Sequence, residues 1–168
     1  MKINEFKLFK KKKPFLIGVL VAISVAFLDI LSKKVIFKMV DNAEYSYIKI
    51  TSFFNLVKVW NKGVSFGMFN DFAHSQVLFS VIVSLIVIFL LIWLYRNKSL
   101  YLMIAISLII GGALGNLSDR IKYGAVADFL DFHINQYHWP AFNLADSFVF
   151  IGVFMLLLED LFLRKKNV

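Results

Sequence analysis

The sequence predicts an all-α polytopic membrane protein with four transmembrane helices, both termini in the cytoplasm, and a small β-containing outer loop domain on the periplasmic or extracellular side. Three observations predict this class. The 168-residue chain is 60% hydrophobic and only 18% charged, with a mean hydropathy of +0.73, which is far more apolar than a soluble domain. It contains four apolar runs of the length that spans a bilayer. A segment after the first run alternates apolar and polar residues, as strands do.

The four spans are predicted from apolar runs that each end at charged residues. A hydrocarbon core about 30 Å thick requires roughly 20 mostly apolar helical residues. The runs predict helices over about 15–36, 74–95, 99–119 and 141–163, with outer loops over about 37–73 and 120–140. The turn at 96–99 is so short that the second and third helices must form an antiparallel hairpin. No repeat or linker is visible, so residues 1–168 are predicted to form a single membrane-embedded domain.

The orientation is predicted from the distribution of Lys and Arg. Six lysines precede Phe15, and the turn at 96–99 and the C-terminal tail raise the number on that side to eleven, against eight in or beside the two long loops. The positive-inside rule therefore places both termini in the cytoplasm and both long loops outside. A cleaved signal peptide is the alternative, because residues 24–26 loosely match a cleavage site, but the apolar run continues to Leu31.

Composition argues against several other chemistries. The net charge of +8 does not indicate nucleic-acid binding, because the basic clusters flank apolar runs, where they orient helices and contact membrane lipids. The chain has no Cys, which excludes a Cys nucleophile and a thiolate metal site. His133 and His138 have no third ligand nearby and His74 stands alone, so neither a metal nor a cofactor is predicted. A dyad of Lys62 and Ser65 would lie in an exposed loop, with nothing to lower the pKa of the lysine.

The first outer loop carries two strand patterns. Residues 47–51 and 55–60 alternate apolar and polar side chains, with β-branched and aromatic residues among them. A small outer sheet is therefore expected. Its aromatic side chains are expected to rest at the membrane interface: Phe53, Phe54, Trp60, Phe66 and Phe69.

Polar side chains collect at the outer ends of the spans, where the cost of placing them near lipid makes each a candidate functional residue. Asn116 and Asp119 are three residues apart, as are Asn143 and Asp146, so each pair shares one helix face. Gly111 and Gly115 form a small-xxx-small pair that allows a neighbouring helix to approach closely. The candidates are Asp29, Asn116, Asp119, Arg120, Asp128, Asn143 and Asp146.

All of these candidates except Asn116 also have a structural explanation, and the spacing leaves both explanations open. Asp119 and Arg120 would form an interfacial ion pair, and Asp29 would pair with Lys33 one turn later. Asn143 and Asp146 would cap the fourth helix. Asp128 and Asp131 lie in a predicted loop, where solvation alone accounts for an acid.

Four segments in order resemble the signature blocks of the lipoprotein signal peptidases, also called signal peptidase II. The segments are NKGVSFG at 61–67, GGALGNLSDR at 111–120, VADF at 126–129 and FNLAD at 142–146. Asp29 matches a further acidic position of the family, and the resemblance covers essentially the whole chain. Lys62, Val64, Ser118 and Ala127 depart from the family's usual residues, and none of them is one of the two acids that match the catalytic pair.

The resemblance implies an aspartyl endopeptidase of the bacterial inner membrane, with its active site near the outer face. It would cut diacylglyceryl-modified prolipoproteins just before the lipid-bearing Cys, and it would be inhibited by globomycin-type cyclic peptides. The family's catalytic pair corresponds to Asp128 and Asp146. Supporting or substrate-binding positions correspond to Asp29, Asn61, Gly63, Asn116, Asp119, Arg120 and Asn143. A small ion or solute carrier is the main alternative, and a non-catalytic assembly subunit is another, although acids at outer helix ends are not typical of carriers.

Overall fold

The computed structural model describes residues 2–63 and 75–163 of the chain. Its helices are α1 (Lys2–Asp41), α2 (Ser75–Arg96), α3 (Leu100–Tyr123) and α4 (Leu144–Leu158), and α4 continues into a π-helical segment, Glu159–Leu163. Three helices of the described part are long and apolar enough to cross a membrane: Pro14–Asp41, Gln76–Arg96 and Leu100–Tyr123. The chain is therefore a multi-pass membrane protein. With 15 residues, α4 itself is shorter than these three.

The helix ends differ from the predicted ends in an informative way. α1 starts before its apolar run and continues to Asp41, so the first part of the predicted outer loop is helical. α3 runs past its apolar residues to Tyr123, where Gly124 ends it with a left-handed φ of 65° and donates its N–H to the Arg120 carbonyl at 3.0 Å. The predicted ends were placed where the apolar runs meet charged residues, whereas a helix continues until its backbone is capped.

The segments that connect α1 to α2 and α3 to α4 form a four-stranded antiparallel sheet in the order β1-β2-β3-β4. Its strands are β1 (Tyr47–Lys49), β2 (Phe54–Asn61), β3 (Val126–Ile134) and β4 (Tyr137–His138). β1 and β2 confirm the two strand patterns read from the first loop. Phe54 stacks on Phe132, with ring centroids 4.6 Å apart, whereas Phe53 and Trp60 are exposed. Phe66 and Phe69 lie outside the described residues.

The second outer segment was predicted to be a loop, and this was wrong. Residues 126–134 form the central strand β3, and Asp128 and Asp131 are 2% and 6% exposed rather than solvated. β3 belongs to the sheet because β2, from the first loop, pairs with it from Phe54↔Phe132 to Asn61↔Val126. This partner is more than sixty residues away in sequence, so no local pattern indicates it.

α3 packs against the other helices through small residues. A Cβ on Gly111 would lie 2.6 Å from the Ala22 carbonyl oxygen of α1, and one on Gly112 would collide with the Ala145 carbonyl of α4. α2 packs on the same helix through an apolar cluster that includes Leu90, Leu94, Ile106 and Ile110, which confirms the predicted hairpin. The close approach places the polar ends of α1, α3 and α4 side by side.

Candidate active site

Asp128 lies on β3 with its carboxylate held by two amides. The Asn61 side chain donates to Asp128 Oδ2 at 3.0 Å, and the Asn143 side chain donates to Oδ1 at 2.7 Å. Val59 is paired with Asp128 across the sheet, so Asn61, two residues further on, is its diagonal neighbour on the same face. The Asn61 amide is itself fixed, because its Oδ1 accepts the backbone N–H of Gly63 at 3.1 Å.

Asp146 lies in the first turn of α4, inside a capping box. Asn143 Oδ1 accepts the backbone N–H of Asp146 at 3.0 Å, and Asp146 Oδ2 accepts the backbone N–H of Asn143 at 3.1 Å. The capping explanation of these two residues is therefore confirmed. The same side chains also reach beyond the cap, because Asp146 Oδ1 accepts the side-chain amide of Asn116 at 2.8 Å.

Asn143 connects the two acids directly. It caps the helix that carries Asp146, while its fully buried amide nitrogen donates to Asp128 Oδ1 and to Asn116 Oδ1 at 3.0 Å. The preceding residue fixes this position: Phe142 exchanges two backbone hydrogen bonds with Leu130 of β3, at 2.8 and 3.1 Å. The sheet thus sets where α4 begins, which brings the two carboxylates into one site.

A buried lysine, Lys33, organises the next layer of the cluster. Its Nζ lies 2.7 Å from Asp29 Oδ2, 2.8 Å from Asp119 Oδ2 and 2.9 Å from Asn116 Oδ1, which matches the three donors of an ammonium group. The predicted Asp29–Lys33 pair is confirmed. The sequence did not single out Lys33 as a site residue, and its signal was this spacing of four from an acid inside an apolar helix.

Asp29 and Asp119 each make a second contact that joins elements. Asp29 Oδ1 accepts the backbone N–H of Ala145 in α4 at 2.9 Å, and Asp119 Oδ2 accepts the backbone N–H of Ala127 in β3 at 3.2 Å. The predicted ion pair between Asp119 and Arg120 was wrong, because Asp119 binds Lys33. Neighbouring residues on a helix point in different directions, and Arg120 lines a cleft together with Asp128 and Asp146.

The electrostatics of Asp128 are unusual for a carboxyl group. Burial raises its pKa to about 7, and the negative charge of Asp146 contributes in the same direction. The amides of Asn61 and Asn143 and the charge of Lys33 favour the ionised form and oppose part of this rise. Near neutral pH the Asp128 carboxyl is therefore poised to hold or release a proton.

Both acids open onto a cleft of about 400 Å³ at the junction of sheet and helices. Its lining combines the two acids, amides and a guanidinium with apolar side chains. A cleft that offers hydrogen-bond donors, apolar surface and two acids is suited to hold an extended peptide beside an attacking water. The lining residues are Asn61, Gly63, Asn116, Arg120, Val126, Asp128, Trp139, Pro140, Ala141, Phe142 and Asp146.

Two of the histidines considered for a metal site, His133 and His138, do not line the cleft that contains the two acids. In the described part of the chain, no group of three His, Cys, Asp or Glu side chains is arranged to hold a metal ion. His133 and His138 stack with ring centroids 4.9 Å apart, and His138 Nδ1 lies 2.7 Å from Asp131 Oδ1. Ser65 and His74 lie outside the described residues.

Comparisons with known proteins agree with one another. The family model described as Signal peptidase (SPase) II matches residues 21–162. The lipoprotein signal peptidase of Anaplasma phagocytophilum is 40% identical over 90% of this chain and 95% of its own length, and that of Aeromonas hydrophila is 46% identical over 83% and 85%. A bacterial membrane enzyme solved by the in meso method superposes with a TM-score of 0.75 at 29% identity, covering 90% of this chain and 91% of its own.

Proposed function

Since this chain belongs to the signal peptidase II family, whose model covers most of its length, we propose that its cleft is the active site of an aspartic endopeptidase with Asp128 and Asp146 as the catalytic pair. The family membership makes it a peptidase that removes signal peptides from prolipoproteins. The observation that carries the assignment of the pair is Asn143, which binds Asp128 through its amide and Asp146 through a capping box.

The proposed mechanism uses one proton shared by the two acids. Two adjacent carboxyls do not both ionise readily, so the pair holds one proton near neutral pH. The ionised acid accepts a proton from water as the water oxygen attacks the scissile carbonyl carbon. The protonated acid donates to the carbonyl oxygen. Collapse of the tetrahedral intermediate then breaks the C–N bond, and a proton from the pair neutralises the leaving amine.

Seven neighbouring residues support the pair in this proposal. Asn61 and Asn143 hold Asp128, with Gly63 fixing the Asn61 amide, and Asn116 holds Asp146. Arg120 lines the cleft and offers its guanidinium to peptide carbonyls or to the net negative charge of the pair. Asp29 and Asp119 act through Lys33, which makes them positioning residues.

We further propose four spans with both termini cytoplasmic, a single domain over residues 1–168, and an active site at the outer face of the bacterial inner membrane. α4 and the π-helical segment together cover 20 residues, about the length that spans a hydrocarbon core. With the sheet outside, water reaches the pair without opening a helix.

The substrate proposed for this cleft is a diacylglyceryl-modified prolipoprotein, cut just before its lipidated Cys. The extended peptide would lie along the apolar lining near Trp139 and Phe142, while the acyl chains stay in the bilayer. Globomycin-type cyclic peptides would occupy the same cleft. The comparisons do not favour a carrier, and its acids would be expected nearer the middle of the membrane.

The test is cleavage of a diacylglyceryl prolipoprotein by purified protein in detergent. Asp128→Asn and Asp146→Asn should each reduce the rate at least about a thousandfold, because losing either group removes one half of the acid–base pair, itself worth 10²–10⁴ per transfer. The matched control is Asp131→Asn, which changes another buried acid of the same strand and should retain cleavage.

A near wild-type rate in either pair variant would show that the assignment of the pair is wrong. Retained activity in both would point to the assembly-subunit alternative. Binding of uncleaved substrate separates a chemical defect from a folding defect, because the Asn variants should still bind it.

A further inference from the structure

A second cleft, separate from the active site, lies between the outer half of α1, strand β2 and the end of α3. Its volume is about 570 Å³. Five lysines line it, Lys33, Lys34, Lys38, Lys58 and Lys122, against two acids, Asp41 and Asp119. We call it the lysine cleft. Lys33 and Asp119 also position the active site, but its exposed lysines, Lys34, Lys38 and Lys122, have no part in the proposed peptidase chemistry.

Both acids of the lysine cleft already have a lysine partner. Asp119 shares Lys33 with Asp29, and Asp41 binds Lys58 at 2.7 Å. Lys34, Lys38 and Lys122 are exposed and form no ion pair with any carboxylate in the part of the chain that the structure describes. The cleft therefore presents three lysines that have no carboxylate partner to whatever enters it.

Two of these charges are placed unfavourably unless an anion joins them. Lys34 and Lys38 are four residues apart on α1, so they face the same side, where like charges destabilise a helix. Lys122 approaches from α3 on the other side of the cleft. An anion bound between them would remove the repulsion and bridge the two helices.

The position of the cleft indicates which anion. It lies where α1 and α3 pass from their apolar segments to the sheet, and it is flanked by Trp60 and Tyr123, whose rings are 5.0 Å apart. Trp and Tyr favour the level of lipid head groups. Below it, α1 presents exposed apolar side chains at Leu28, Leu31 and Val35, along which acyl chains can lie.

We propose that the lysine cleft binds the phosphate of an anionic phospholipid in the leaflet on the active-site side. Lys34, Lys38 and Lys122 contact the phosphate, and the glycerol backbone lies against Trp60 and Tyr123. The bound lipid fixes the depth at which the outer end of α1 and the sheet meet the membrane. It differs from the substrate lipid, which carries no phosphate.

The test is native mass spectrometry of the purified protein in detergent. Phosphatidylglycerol or phosphatidylcholine with the same acyl chains is added, and inorganic phosphate is the competitor. Wild-type protein should bind one phosphatidylglycerol in clear preference to phosphatidylcholine. The Lys34→Gln/Lys38→Gln double variant should lose about fivefold in affinity per lysine, roughly 25-fold in all. Lys122→Gln, on a different helix, should lose about fivefold.

Two control variants make the comparison specific. Lys49→Gln/Lys98→Gln removes the same charge from exposed positions outside the cleft and should change the affinity less than twofold. Lys34→Arg/Lys38→Arg keeps the charge and should retain binding. The proposal is overturned by equal binding of the two lipids, by equal losses in the cleft and control variants, or by displacement with millimolar inorganic phosphate, which would identify a site for free phosphate.

Discussion

The chemistry of the proposed pair depends most on Asp128, because the pKa of its carboxyl lies near neutral pH. Burial and the charge of Asp146 raise its pKa to about 7, and two amides limit the rise. Below this pH the group is protonated, and above it the pair loses the proton that one partner must donate. The rate of cleavage should therefore fall as the pH rises through about 7.

The pH dependence can be shifted at one residue. Asn61→Ala removes a donor that favours ionised Asp128, so the pKa rises further and the basic limb of kcat/KM should move to higher pH. The measurement is kcat/KM from pH 5 to 9. Asn55→Ala is the matched control, because Asn55 makes the equivalent bond to Asp131, at 3.0 Å, on the same two strands. An unmoved limb in Asn61→Ala, or one moved to lower pH, would contradict the assignment of this titration to Asp128.

Lys33 determines which way the Asn116 amide points. Asn116 Oδ1 accepts from Lys33 at 2.9 Å and from Asn143 at 3.0 Å, so its nitrogen is left to donate to Asp146. If the Asn116 amide were flipped, its NH2 group would face the donor groups of Lys33 and Asn143, and neither hydrogen bond could form. Lys33 contacts neither acid of the pair, but through Asn116 it determines the hydrogen bond that Asp146 accepts.

Lys33→Met should destabilise the protein strongly and slow cleavage. It leaves Asp29 and Asp119 buried without their cation, and breaking a buried pair in this way costs about 3–5 kcal/mol. Lys58→Met breaks the exposed pair with Asp41 and should cost less than about 1 kcal/mol. Unfolding in detergent measures both. The Lys33→Met/Asp119→Asn double variant should recover part of the stability lost in Lys33→Met. Equal losses of stability in Lys33→Met and Lys58→Met would argue against the buried network.

At the scale of elements, α3 holds the site together because three of its glycines face other helices. Gly111 and Gly115 face α1, where a Cβ on Gly115 would meet the Asp29 carboxylate, and Gly112 faces α4. The contact with α1 brings Lys33 to Asn116, and the contact with α4 brings Asn143 and Asp146. Backbone proximity is therefore a condition for the hydrogen bonds of the site.

Gly111→Ala should lower stability by about 1–3 kcal/mol and reduce cleavage, because the new methyl group meets the Ala22 carbonyl oxygen and the Cβ of Val25 on α1, neither of which can move without the helix. Gly18→Ala is the control, because Gly18 lies on α1 and faces α2 and α3. Its Cβ would meet the flexible side chains of Leu94 and Ser107 at 3.0 Å, so its effect should be smaller. Thermal unfolding and the cleavage rate report both effects. A larger loss in Gly18→Ala would mean that the α1–α3 contact is not the sensitive one.

Elements with a local signal could be predicted from the sequence, and those specified by distant partners could not. Apolar runs located the helices, and alternation located β1 and β2. β3 was missed because it carries acids at 128 and 131, which read as solvated until β2 covers one edge of the strand and Phe142 reaches the other. The acids are buried among amides that come from other elements, and this compensation is invisible in a local window.

The site, too, could be predicted only where its residues are close together in sequence. The spacing Asn116–Asp119 and Asn143–Asp146 indicated two polar helix faces, and both faces converge as expected. The links between them span long separations, such as Asp29 to Ala145, 116 residues apart. Arg120 was assigned to the wrong partner because adjacency in sequence was taken as contact, whereas Asp119 turns to Lys33 on α1.

At the scale of the whole molecule, one polar network joins three helices to the sheet at a single end of the bundle. Lys33 lies on α1, Asn116 and Asp119 on α3, Asn143 at the start of α4 and Asp128 on β3. The exposed surfaces of α1, α2 and α4 are mainly apolar. This arrangement fits a protein held in lipid along its sides and open to water at the end that carries the sheet.

The proposed orientation makes a prediction that the cysteine-free chain allows to be tested without background labelling. Lys98→Cys places a thiol in the exposed turn between α2 and α3, and Tyr137→Cys places one on β4, where the side chain is 86% exposed. A membrane-impermeant maleimide added to intact spheroplasts should label Cys at 137 and spare Cys at 98, and lysis should make both reactive. Both variants should still cleave substrate, since neither position lines the active cleft. The reverse labelling pattern would place the two acids on the cytoplasmic side, where a prolipoprotein that has already been translocated could not reach them.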